Sequence, residues 1–245
     1  MAVLAAAAGA TGLVIMNPNS YEEVFDSTPA SAESSNMANS GASNSNLTNI
    51  GDTAPLATDV LAKIEVKGRA PKTGYDRNTQ FYKTWPLVEG CSLRQRIIKR
   101  ELGDQAKLDT DKCTVLSGEF DEPYTGQHLI FYQKSDLSKG VQIDHVVALS
   151  DAWQKGAQQL SGEERYSLAT DPLNLLAVDA DANQQKSDGD AATWLPSNKS
   201  FRCQYVARQV SVKYKYHLWV TSAEREAILR VLEACPNEKA VGVEL

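Results

Sequence analysis

Before residue 60 the chain has no lysine or arginine, and in all of its 245 residues it has only three histidines. It has no Cys-x-x-Cys pair, so a structural zinc site lacks its usual ligand spacing. It has no HExxH segment, and no His-x-Glu followed by Pro-Cys-x-x-Cys, so neither a zincin protease nor a zinc deaminase is supported. No internal repeat is visible. Its longest apolar stretch, MAVLAAAAGATGLVIM, falls short of the roughly 20 residues that a membrane-spanning helix requires. Strong charge of either sign is missing from most of the chain. Six of the 31 acids precede residue 60, so the remaining 25 balance all 25 Lys and Arg. That body of the protein is neutral, and charge alone does not argue for nucleic acid.

What is there divides into three parts. Residues 1–16 suit the apolar core of a signal peptide, with small residues for cleavage, although the positively charged start is missing. Residues 17–57 are rich in Ser, Asn, Ala and Thr and follow no apolar period. Such a composition cannot bury enough surface to offset its ordering entropy, so a flexible linker is expected. Order is expected from residue 58 to 245, with 42% hydrophobic and 23% charged residues overall, as in an ordinary globular protein. Cys91, Cys113, Cys203 and Cys235 allow three pairings, and the sequence alone does not choose among them. Two disulfides fit an exported chain.

Within the ordered part, DVLAKIEVKGR spaces its apolar residues as a short helix, and LRQRIIKRELG as a helix stopped by Gly103. CTVLSGEF, EPYTG and HLIFYQ read as strand, turn and strand. VQIDHVVAL reads as a strand, SDAWQKGAQQL as a helix capped by Ser150, and PLNLLAVDA as a short buried strand. DANQQKSDGDAATWL begins as a helix. VSVKYKYHLWV alternates as a strand, and TSAEREAILRVLEAC is a helix capped at Ser222. Strands and helices are mixed without regular alternation, which places the fold in the α+β class.

The residues that carry chemistry are Asp144 and His145, side by side in the VQIDHVVAL strand, Asn174 in the next strand, and Asn183 and Lys186 on the helix after it. Two strands and a helix can bring these side chains to one place. Asp and Asn offer oxygen ligands to a hard divalent cation. A neighbouring histidine can take a proton from water, and an amide can hold the imidazole in one tautomer. Metal and base together meet the needs of phosphodiester hydrolysis.

An Asp-His in one strand, Asn-Leu-Leu in the next and Asn-x-x-Lys opening a helix resemble the HNH, or His-Me finger, nuclease motif. The longer pattern IDHVVALSDAW, DPLNLLAV, AN-x-x-K-x-D, WLP, C-x-Y and VKYKYHL resembles the HNH domain at the C-terminus of GmrSD-type, modification-dependent restriction enzymes, a module also found as small secreted bacterial proteins. GYDR at 74–77, Gly90-Cys91 with Arg94, and CTVLSGEF with EPYTG extend the likeness over residues 60–235. The resemblance implies a single domain around a ββα-metal core at about 139–196. It implies His145 as general base, Asp144 and Asn183 as metal ligands, Asn174 as support for the loop and the histidine, and Lys186 and Arg94 as candidate phosphate contacts. It also implies a divalent metal, Mg²⁺ foremost with Mn²⁺ as an alternative, and a nucleic-acid substrate, DNA preferred. Leu93 and the missing acidic run in TWPLVEGCSLR depart from the pattern and weaken the case for Arg94. Cys91–Cys113 and Cys203–Cys235 are the hypothesised disulfides, each closing a short loop. A secreted or cell-surface bacterial monomer, with no protein partner, is the expectation.

Blander readings stand beside these. Lys186 can be a solvated helix residue, and Arg94, Arg96, Lys99 and Arg100 a solvated helix face. Trp153 and Trp194 are expected as core or loop anchors, not base-stacking platforms. His128 and His217 are assigned no role. The rival reading for the whole chain is a catalytically inactive module that binds nucleic acid or the cell surface.

Overall fold

The structure is a computed structural model that describes residues 54–243. The signal-like segment and nearly all of the expected linker lie outside the described residues, although the end of that span, Ala57, is already buried in the first helix. No described helix is long and apolar enough to cross a membrane.

Helix α1 (Ala57–Lys63) buries Ala57, Val60 and Leu61. Asp76 caps the short α2 (Arg77–Gln80) by accepting from the Thr79 amide. A small hairpin, β1 (Leu87–Val88) and β2 (Cys91–Ser92), leads directly into α3 (Leu93–Leu102). Leu93, Ile97, Ile98 and Leu102 lie on the buried face of α3, and Gly103 ends it at φ +53°, a conformation that costs glycine no Cβ clash. β3 (Lys107–Leu108), β4 (Val115–Asp121) and β5 (His128–Phe131) then form an antiparallel sheet in that order. In the EPYTG turn, the Glu122 carboxylate accepts from the amides of Tyr124 and Thr125 and from the Thr125 hydroxyl.

α4 (Lys134–Gly140) runs straight into β6 (Val141–His145). β6 pairs antiparallel with β7 (Leu175–Asp179), Asp144 facing Leu176 and His145 facing Leu175. Between the two strands lie α5 (Leu149–Gln154) and α6 (Gly162–Thr170). Asp179 ends β7 and caps α7 (Ala180–Lys186), accepting from the Ala182 amide at 2.8 Å. α8 (Arg202–Lys215) and α9 (Ser222–Leu232) complete the chain. Alternate residues of β7 enter different clusters: Leu175 and Ala177 pack with α3, and Leu176 and Val178 with Val206 and Val210 of α8. Burial on both faces is why this strand reads as an unbroken apolar run. The described residues are thus a mixed α+β domain, as expected.

Several expectations are corrected. VSVKYKYHLWV is not a strand, since its first six residues belong to α8. The alternation misleads because two of its polar members, Ser211 and Lys213, are buried too. Ser211 donates to the Ala207 carbonyl, and the Lys213 side chain is fully enclosed. VQIDHVVAL stops being a strand at His145, and α5 begins at Leu149. Ser150 lies inside α5 and donates to Asp188, while Ala148 occupies the cap position. α9 is capped by Thr221, not Ser222, through a reciprocal box with Glu224. α6 has the same device in Ser161 and Glu164. Trp153 and Trp194 are anchors, as expected: Trp153 is a core residue, and Trp194 packs on Tyr124 and Tyr205.

Both hypothesised disulfides are present. Cys91–Cys113, with Cα atoms 5.3 Å apart, ties β2 to the chain entering β4, and Cys203–Cys235, at 6.4 Å, ties α8 to the chain leaving α9. A closed ion cluster joins the helices. Lys155 Nζ lies 2.7 Å from Asp151, 2.6 Å from Asp190 and 2.6 Å from Glu224. Lys213 reaches Asp151 and Glu224, and Arg69 reaches Asp151 and Asp190. Three cations meet three acids, and all but Arg69 are buried.

Candidate active site

The end of β6 places Asp144 and His145 on a cavity of about 580 Å³, which Asn183 and Arg94 also line. Asn174 does not line it. Fully buried just before β7, Asn174 accepts from the Val147 amide at 2.8 Å and donates to the carbonyls of Val147 and Leu168. Its own carbonyl accepts from the Val146 amide. One amide side chain therefore clamps the loop after His145 to the end of α6. The next carbonyl of α6, Ala169, accepts from His145 Nε2 at 2.9 Å. A carbonyl only accepts, so the proton sits on Nε2 and the Nδ1 lone pair is left available. The Trp85 ring lies nearly parallel to the imidazole, 8° and 6.2 Å away, and Tyr82 packs beside it at 6.2 Å. Burial pushes the imidazole pKa down to about 3. The bond to Ala169 opposes this, and the charges of Arg77 and Lys186 add to it. His145 is a neutral base at neutral pH.

Asp144 is held from two sides. Tyr124, from the EPYTG turn, donates its hydroxyl to Oδ2 at 2.5 Å, and Lys186 donates to Oδ1 at 2.9 Å. Burial raises the Asp144 pKa against the pull of Lys186 and Tyr124. Lys186 is itself buried, also donates to the His145 carbonyl at 2.8 Å, and does not line the cavity. The reason is that α7 packs on β6, so its last side chain turns inward; Lys186 is neither a solvated residue nor positioned toward the cavity. Asn183 donates its amide N–H to Gln142 Oε1 at 2.8 Å, which leaves Oδ1 without a donor among the described residues. Arg94 is half-buried and donates to the Val141 carbonyl at 3.1 Å; burial lowers its pKa.

The oxygens facing the cavity, the Asp144 carboxylate and the Asn183 amide, are hard donors, and each Asp144 oxygen keeps a lone pair beside its existing bond. These residues fit a divalent cation that keeps several waters. The sole grouping of three metal-binding side chains among the described residues, Cys203, Cys235 and Glu238, is not comparable, because both sulfurs are in a disulfide.

Five lining or supporting residues escaped the sequence reading of the site: Arg77, Tyr82, Trp85, Tyr124 and Gln142. GYDR and EPYTG were visible as motifs, but nothing in the spacing ties residue 77, 82 or 124 to residues 144 and 145. His128, given no role, lies beside Asp121 and Glu119 on the exposed sheet.

An acid and a neutral histidine end one strand, with an amide on the helix after the next, and the family that the chain matches is HNH nuclease-like. The chain belongs to the family described as GmrSD restriction endonucleases, C-terminal domain, which matches residues 93–231. It is also 35% identical, over 74% of this chain and 86% of the relative, to an uncharacterized secreted protein of Arthroderma benhamiae. No solved structure matches. Proteins of this class use a divalent metal, and the family implies a nucleic-acid substrate. The secreted relative and the two disulfides agree with the expected secreted or cell-surface localisation, and they do not bear on its bacterial part.

Proposed function

We propose that the protein is a secreted, metal-dependent endonuclease that hydrolyses DNA phosphodiesters to 5′-phosphate and 3′-hydroxyl ends. Residues 58–245 would form the nuclease domain, with a ββα-metal core made of β6, β7 and α7. The observation that carries this reading is the orientation of His145. Its Nε2 proton is committed to Ala169, and His145 lines the cavity shared with Asp144 and Asn183. His145 Nδ1 takes a proton from the attacking water as the water oxygen bonds to phosphorus. The P–O3′ bond breaks, and the 3′ oxygen leaves to take a proton from solvent. Asp144 and Asn183 hold the divalent cation, Mg²⁺ foremost and Mn²⁺ as alternative. Once bound, the cation supplies Lewis-acid stabilisation of phosphate and leaving-group charge. Asn174 positions His145 through the loop and α6. Lys186 acts behind the site by fixing Asp144, not by touching phosphate. Arg94 remains a phosphate contact in this scheme.

One observation favours the inactive binding module: Lys186 already pairs with Asp144, which weakens the pull on a metal. Plasmid cleavage by the full chain separates the two. Cleavage is expected with Mg²⁺ or Mn²⁺ and none with EDTA, and His145→Ala is expected to slow it about 10²- to 10⁴-fold. Folded protein that cuts neither DNA nor RNA with any divalent ion would leave the binding module standing.

A further inference from the structure

Arg77 lies outside residues 93–231, the part of the chain that the family matches, yet it lines the same cavity as His145. Its guanidinium lies over the Tyr82 ring at 5.3 Å and donates to the Tyr82 hydroxyl at 3.1 Å. Tyr82 in turn packs on the His145 imidazole at 6.2 Å. One aromatic ring therefore links the base to a cation held at a set distance from it.

Among the described residues no carboxylate forms an ion pair with Arg77. Its neighbour Asp76 has its carboxylate turned to the Thr79 amide as the cap of α2. Arg94, on the same cavity, donates to the Val141 carbonyl and forms no ion pair among the described residues. The two carboxylates of the lining differ: Asp144 is paired with Lys186, and Asp188 with Lys72. The cavity thus presents paired acids and two unpaired guanidinium groups. Arg77 is exposed, and most of its five N–H donors remain after the bond to Tyr82. A planar guanidinium in that state suits bidentate binding of a phosphate.

We propose that Arg77 is a phosphate ligand of the substrate, gripping the diester beside His145, with Arg94 as a second contact. The assignment rests on reading the cavity as a nuclease site. The segment carrying α2 then completes the catalytic centre from outside the family-matched region. Arg77 offsets charge that develops on the phosphate as the water attacks. A phosphate contact reads no base, so its loss weakens binding to all sequences alike.

The test uses the full chain, Arg77→Gln and Arg77→Lys, and two readouts. The first is binding of a fluorescein-labelled 20-base-pair duplex in EDTA across a salt series. Losing one phosphate contact is expected to lower the slope of log affinity against log salt by about 0.9 in Arg77→Gln and to leave it unchanged in Arg77→Lys. The second is plasmid cleavage with Mg²⁺ or Mn²⁺, where Arg77→Gln is expected to lose about 100-fold in kcat/KM and Arg77→Lys less. Unfolding midpoints equal to wild type check that both variants fold. A slower Arg77→Gln with an unchanged salt slope would make Arg77 a mere brace for Tyr82 and overturn the proposal. So would a variant equal to wild type in both readouts, leaving the nuclease reading intact. Wild-type protein that binds with an Arg77-dependent slope but never cuts would overturn the nuclease reading and keep Arg77 as an anion contact. No wild-type binding at any salt together with no cleavage would overturn both, and cleavage by Arg77→Gln at the wild-type rate without measurable binding would overturn the Arg77 assignment alone.

Discussion

Two buried charge clusters of this protein use the same kinds of residue and reach opposite ends. In one, Lys155, Lys213 and Arg69 meet Asp151, Asp190 and Glu224, and every group finds its opposite within the cluster. In the other, Asp144 has one ammonium and one hydroxyl, and it sits on a cavity with a neutral histidine and an amide oxygen free of donors. Apart from the partly exposed Arg69, the groups of the first cluster are buried with their opposites around them. The second keeps lone pairs on Asp144, His145 and Asn183. Burial and ion pairing do not mark a site by themselves; what marks it is unfilled capacity that faces open space.

The comparison predicts that changes in the closed cluster affect stability and changes in the open one affect activity. The largest stability effect is expected from Lys155→Met. It strips the central cation from three buried acids, and loss of one partner from a buried pair costs about 3–5 kcal/mol. Urea unfolding measures that loss, while the cleavage rate per folded molecule at low temperature stays at the wild-type value. A variant as stable as wild type would erase the distinction between the clusters.

A smaller effect in the other direction is expected from Tyr124→Phe. It removes only the hydroxyl that orients Asp144, and supporting groups of this kind are worth about 10- to 100-fold in metal affinity. The concentration of Mn²⁺ giving half-maximal cleavage should rise by that factor, and stability should fall by only about 1 kcal/mol. An unchanged metal requirement would show that Tyr124 is packing alone.

The most gradual effect is expected in acid. For Asp151, burial opposes ionisation, but Lys213, Lys155 and Arg69 outweigh it and hold the pKa below the usual 3.8. Asp190 is lowered in the same way by Lys155 and Arg69, again against burial. Groups lowered in the folded state contribute stability above the unfolded value near 3.8. That contribution is lost as pH falls through the lower folded values. Unfolding midpoints followed from about pH 6 to about pH 2 should drop more steeply for wild type than for Lys155→Met. Parallel curves would assign the acid sensitivity to other carboxylates.

Much of this was legible in the sequence. Leu93, Ile97 and Ile98 spaced on one face and stopped by Gly103 specify α3 locally, and LLAV reads as a strand because both of its faces are buried. Asp144, His145 and Asn183 are brought to one cavity as their strand, strand and helix order suggests. The family resemblance implies Asn174 as support for the loop and the histidine, and in the structure its side chain clamps the loop after His145. α8 was illegible, because Ser211 and Lys213 look solvent-facing until partners from distant segments, Val241, Asp151 and Glu224, enclose them.

By itself the sequence determined the local features: the helix stop at Gly103, the apolar strand LLAV, an even set of cysteines, and the acid, histidine and amide of the site. The stop and the strand depend on residues a few positions apart, within reach of backbone geometry and side-chain preference, and the cysteines and site residues are legible as residue types. Only the tertiary structure decided that Lys186 turns inward to Asp144, that Tyr124 reaches Asp144 across 20 residues, and that Arg77 comes to the cavity by way of Tyr82. Those contacts join segments distant in sequence, and the direction of a long polar side chain is set by what packs around it.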